Sequence, residues 1–234
     1  MIEDASAVVC GLLATGCRWG DEGHRPLWQR TIQRLGTWPQ IGGVVVAINL
    51  RRYPGVLAMY AGGIGALIGG QLSTAASILI TPVTNEDRKQ VAAFWLAVAG
   101  TLDQDLMQRV RQADTGNPTS RFHTPANDHV YEVLAPLLQD QVPDSQEYDT
   151  LFNRFEFLVS LAVAQHAGSR GRVPGRWSWR DHGMLTGRSA YELTTEELKQ
   201  HGDGSALVTS GLVPSAERGL ELADLLWSQV RFPF

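Results

Sequence analysis

Apolar residues recur at three- and four-residue intervals along most of the chain, the spacing of helices that bury one face. Over 2–19 the stripe is Val8, Val9, Leu12 and Leu13, and the acidic turn from Gly20 to Gly23 ends it. Pro26 stands in the first turn of a second helix that carries Leu27, Trp28, Ile32 and Leu35 and closes at Gly36. The segment 41–52 holds Val44, Val45, Val46 and Ile48. Alone it reads as a strand, but its helical neighbours favour a helix. Asn85, followed by Glu86 and Asp87, reads as the cap of a long helix bearing Val91, Phe94, Trp95, Val98, Leu102, Leu106 and Val110. Further helices are expected over 126–141 and 145–167, the second with Leu151, Phe152, Phe155, Leu158, Val159 and Ala162 inward. Thr194 or Thr195 is expected to cap a short helix through Gln200. A last helix over 215–230 carries Leu220, Leu222, Ala223, Leu225, Leu226 and Trp227.

One stretch breaks the amphipathic pattern: from Tyr53 to Asn85 there is no charge at all, after the basic pair Arg51 and Arg52. It is long enough to cross a bilayer, the arginines suit a cytoplasmic flank, and Ala61, Gly65, Gly69 and Ser73 form a small-residue ridge. Against that, Gly69-Gly70 divides it into halves of ordinary helix length, and Gln71, Ser73 and Thr74 would lie near mid-bilayer. The amphipathic helices around it also need a core to pack on. The expectation is a buried helical hairpin over 54–80, with a membrane-associated segment as the alternative.

The fold class that follows is all-α: an irregular multi-helix bundle with a tetratricopeptide-like hairpin at its centre. The polar stretch 115–125, with Gly116, Asn117 and Pro118, divides an N-terminal layer (1–114) from a C-terminal layer (115–234), the two packed as one unit. Apolar residues make up 44% of the chain, enough for a sizeable core, which excludes wholesale disorder. The net charge of −4 lacks the basic excess of a nucleic-acid-binding domain. Cys10 and Cys17 lie seven apart, ~10 Å along a helix, too far for a disulfide. They read as small core residues of a reduced, cytoplasmic protein.

No nucleophile elbow, Walker loop, zincin motif or C-x-x-C pair is present in the sequence. His123, Asp128 and His129 are a weak metal candidate, because their spacing matches no zinc pattern; a helix start explains them as well. Asp103 and Asp105 stand two apart on a helix, so they face apart and make no acid–base pair. The strongest candidate is the loop 168–188, where Arg170, Arg172, Arg176, Arg180 and Arg188 surround Trp177 and Trp179. Arginine and tryptophan there suit a protein-contact surface, and they also suit an anion or nucleotide. Equally, the tryptophans can plug the core while the arginines pair with nearby acids.

The phrases NLRRYPGVLAMYAGGIGAL, FNRFEFLVSLAVAQ, GRWSWR and ALVTSGLVPSAERGLELADLLW resemble, in that order, the C-terminal helical region of large bacterial multidomain defence and conflict proteins. Those proteins carry a SIR2-like or other nucleotide-handling effector domain at the N-terminus. The resemblance spans 28–227 and rests on packing phrases, so no catalytic residue is carried over. It implies a helical sensing or assembly module. The combined expectation is a cytoplasmic, non-enzymatic protein without a cofactor, which binds a protein partner or itself through Arg172, Arg176, Trp177, Trp179 and Arg180. A membrane-associated effector and an anion binder are the alternatives.

Overall fold

A computed structural model describes residues 2–37, 49–98, 102–167, 175–180 and 188–231. Helix α1 (Ile2–Trp19) is followed by a 3-10 turn (Glu22–His24) and α2 (Arg25–Gly36). The uncharged stretch forms α3 (Tyr53–Ile68) and α4 (Leu72–Leu79), broken at Gly69-Gly70 as the glycines predict. A two-stranded hairpin comes next, β1 (Pro82–Thr84) and β2 (Gln90–Ala92), then a 3-10 turn (Ala93–Ala97). The remainder is helical: α5 (Gln104–Thr115), α6 (Pro125–Leu138), α7 (Ser145–Ala167), the short α8 (Trp177–Arg180), α9 (Ala190–His201), the short α10 (Ala206–Thr209) and α11 (Ala216–Arg231). The protein is an all-α multi-helix bundle. The expected segment 41–52 lies outside the described residues up to 48.

Helix α3 is the hub, and every residue in it except Pro54 and Ile68 is buried. Helices α1, α2, α4, α6 and α7 all pack on it. Its small residues make this possible. A Cβ added at Gly65 would run into the carbonyl of Ala14 on α1, and one at Gly63 into the ring of Phe155 on α7. The polar residues that argued against a membrane span are put to use at the break. Gln71 Nε2 donates to the carbonyls of Arg18 (3.1 Å) and Gly20 (2.7 Å), satisfying the free end of α1. Arg25 donates to Ser73 Oγ at 3.2 Å. Arg52, expected as a flank, is buried and donates its Nε to the Gly36 carbonyl at the end of α2. Among the described residues no helix is long and apolar enough to cross a membrane. Buried apolar side chains form one cluster running from Cys10 to Leu226.

Three expectations are corrected. The long helix from Asn85 does not form. Asn85 Oδ1 instead accepts from the Lys89 N–H (2.9 Å), and Arg88 takes a left-handed φ of 60°, which turns the chain into the hairpin. Val83 then pairs with Val91, and the helix begins only where Asp103 caps the Leu106 N–H (2.8 Å). Helix α9 is capped earlier than expected: Ser189 and Glu192 form a reciprocal capping box, which leaves Thr194 and Thr195 in the helix interior. Finally, the core face of α1 is Cys10, Leu13, Ala14 and Cys17, while Val8 and Leu12 point to solvent. Both cysteines are free, and burial pushes their thiols up to about 12, so they stay protonated.

Candidate functional site

The Arg/Trp segment is described over 175–180, and it sits on α6 and α7 through a buried polar knot. Gly175 opens it with φ 129°, a conformation that side chains avoid; a Cβ there would also press on Trp177 and Glu156. The next backbone N–H, of Arg176, donates to Glu156 Oε2 at 2.5 Å. Glu156 lies in the middle of α7 between Phe155 and Phe157 and is fully buried. Its other oxygen accepts from Asn127 Nδ2 (2.7 Å) on α6 and from the Tyr60 hydroxyl (3.5 Å) on α3. Burial dominates over these bonds and pushes the Glu156 carboxyl up to about 7.

The Arg176 side chain is buried as well. Its Nη1 donates to Asp128 Oδ1 at 2.8 Å and its Nη2 to Asp149 Oδ1 at 3.2 Å. The guanidinium carbon lies 3.7 Å from the centre of the Tyr131 ring. Asp128 is held above its ordinary range because desolvation outweighs the pull of Arg176. Trp177 is fully buried, edge-on to Phe157 at 4.8 Å, and donates Nε1–H to Ser160 Oγ at 2.8 Å. Arg176 and Trp177 are therefore buried and hold the segment down, the arrangement in which a tryptophan plugs the core and an arginine pairs with nearby acids.

Trp179 and Arg180 follow on the outer side of the turn, Trp179 half-buried and Arg180 exposed. The indole N–H of Trp179 donates to Thr124 Oγ1 at 2.9 Å. Its ring lies 5.3 Å from that of His123, and the Arg180 guanidinium covers it at 4.4 Å. The result is a cation–aromatic pair fixed at the surface by buried neighbours on one side and a side-chain bond on the other. Arg172 lies outside the described residues. Arg188 forms an ion pair with Glu196.

The proposed metal trio is separated. His123 lies against Trp179 and Asp128 binds Arg176, while His129 faces Glu3 at 3.4 Å and stacks near Tyr53. Among the described residues no three histidines, cysteines or carboxylates are grouped to hold a metal ion. Two of the anion-binding candidates, Arg176 and Arg188, are already matched to carboxylates of this chain.

Sequence reasoning missed Glu156, Asn127, Asp149 and Tyr60. A signal was present: the one carboxylate inside FNRFEFLVSL stands between Phe155 and Phe157 in a mostly apolar run. A carboxyl raised toward neutrality suits acid–base chemistry, but Glu156 is enclosed by groups of its own chain. The void beside it, lined by Val56, Tyr60, Leu96, Asn127 and Val130, measures about 10 Å³, room for no more than a water. Comparison with protein-family models, curated proteins and solved structures finds no match.

Proposed function

We propose that this chain is a non-enzymatic helical interaction module that meets a protein partner through Trp179 and Arg180. The observation that carries the reading is the division of labour within WSWR and the arginine before it. Arg176 and Trp177 are locked into α6 and α7, while Trp179 and Arg180 stay outside in a fixed pose. Tryptophan and arginine held rigid beforehand lose little entropy on contact and are the residue types that dominate protein interfaces. The bacterial sensing and assembly role, in defence and in the cytoplasm, that the sequence resemblance implies belongs to the same proposal.

The test is quantitative capture of partners by the native chain and by Trp179→Ala and Arg180→Glu, with circular dichroism on each. Truncating a hot-spot tryptophan costs ~2 kcal/mol, so retention of a true partner should fall by at least about tenfold in both variants while helicity is unchanged. Equal retention by all three proteins contradicts the proposal. So does loss of helicity in the Trp179 variant, which would make that ring a core residue.

A further inference from the structure

Among the described residues, helix α1 carries a second, exposed apolar face. The inner face packs on α3 through Cys10, Leu13, Ala14 and Cys17. On the opposite side stand Ala5, Val8, Leu12, Thr15 and Trp19, all exposed, with Val8 at 70%, Leu12 at 65% and Trp19 at 74% exposure. Their spacing alternates three and four, the narrow seam by which one helix meets another. The seam runs ~21 Å along the helix. Its three large members hold roughly 400 Å² of apolar surface, as much as the largest patch of an ordinary monomer. That is about half of the ~800 Å² each partner buries in a stable complex.

We infer that this face binds a second copy of the chain, α1 against α1, antiparallel about a two-fold axis at Leu12. Three features of the helix favour that occupant and that direction. Leu12 is the midpoint of the seam, so an axis there overlaps the whole stripe with itself, as an isologous interface requires. The antiparallel arrangement sets the largest side chain, Trp19, over the smallest, Ala5, and Val8 near Thr15; a parallel one would crowd two tryptophans and leave a void between two alanines. Charge agrees: exposed Asp4 stands in the first turn and Arg18 in the last, so opposite ends attract and the helix dipoles oppose. This surface is separate from Trp179 and Arg180, and the inference stands apart from the partner proposed for them.

The test is mass determination in solution with cysteine cross-linking. The native cysteines are buried, so introduced ones report alone. The native chain should be a dimer at high micromolar concentration, and Leu12→Asp should halve the mass with unchanged circular dichroism. Leu12→Cys should cross-link to itself. Ala5→Cys and Trp19→Cys should cross-link when mixed, and neither should do so alone. A monomeric native chain, a dimer that survives Leu12→Asp, or self-cross-linking of Trp19→Cys would each overturn the inference. A monomer that instead binds anionic phospholipid vesicles through Trp19 would overturn it in favour of a membrane surface.

Discussion

At the residue scale the unusual group is Glu156, a fully buried carboxyl that accepts from Asn127, Tyr60 and the Arg176 backbone. Its raised value makes stability depend on pH in a definite direction. Between about 4.5 and 7 the folded chain keeps the proton and the unfolded chain has released it. The native state thus binds more protons, and unfolding free energy falls as pH rises through that window, then levels off. Asp128 moves in the same direction, so a variant is needed to isolate Glu156. Glu156→Gln cannot titrate. The native protein's stability relative to that variant should decline from pH 4.5 to pH 8, by about 3 kcal/mol at most. Denaturant titrations across that range check it, and a constant difference would show that Glu156 does not change its protonation there.

At the scale of elements the α1–α3 contact depends on the absence of side chains. Gly65→Ala places a methyl group against the Ala14 backbone, which cannot yield as a side-chain tip would, and should cost about 2 kcal/mol or more. Gly11→Ala, whose new methyl meets nothing within 4 Å, should be neutral or stabilise by about 0.5–1 kcal/mol. Comparable losses in the two variants, measured by chemical denaturation, would contradict the packing described. The hairpin of α3 and α4 was legible because glycine pairs and mid-segment polar residues are local signals. The β1–β2 hairpin was not. Val91, Phe94, Trp95 and Val98 satisfy a helical period, but the Asn85–Lys89 turn consumes the residues that would have started the helix. Likewise, the period of α1 marks two apolar faces, and only the fold shows which one α3 covers. The cap at Ser189 was hidden because Thr194 and Thr195 offered a second, weaker start.

Across the whole molecule one buried polar knot supports one surface. Glu156, Asp128 and Asp149, drawn from two helices, fix the segment whose outer residues are proposed to meet a partner. The Arg/Trp loop could be singled out from composition. Its division into anchor and contact could not, because Trp177 and Trp179 are two residues apart in one motif and differ only in which neighbours reach them. Unfolding free energies of Trp177→Ala and Trp179→Ala, measured side by side by chemical denaturation, test that division most directly. Removing Trp177 leaves a large cavity and strips Ser160 of its donor, and should cost ~4 kcal/mol. Removing Trp179 forfeits one side-chain bond at the surface and should cost about 1 kcal/mol. Equal losses, or a larger one at Trp179, would contradict the assignment of anchor and contact.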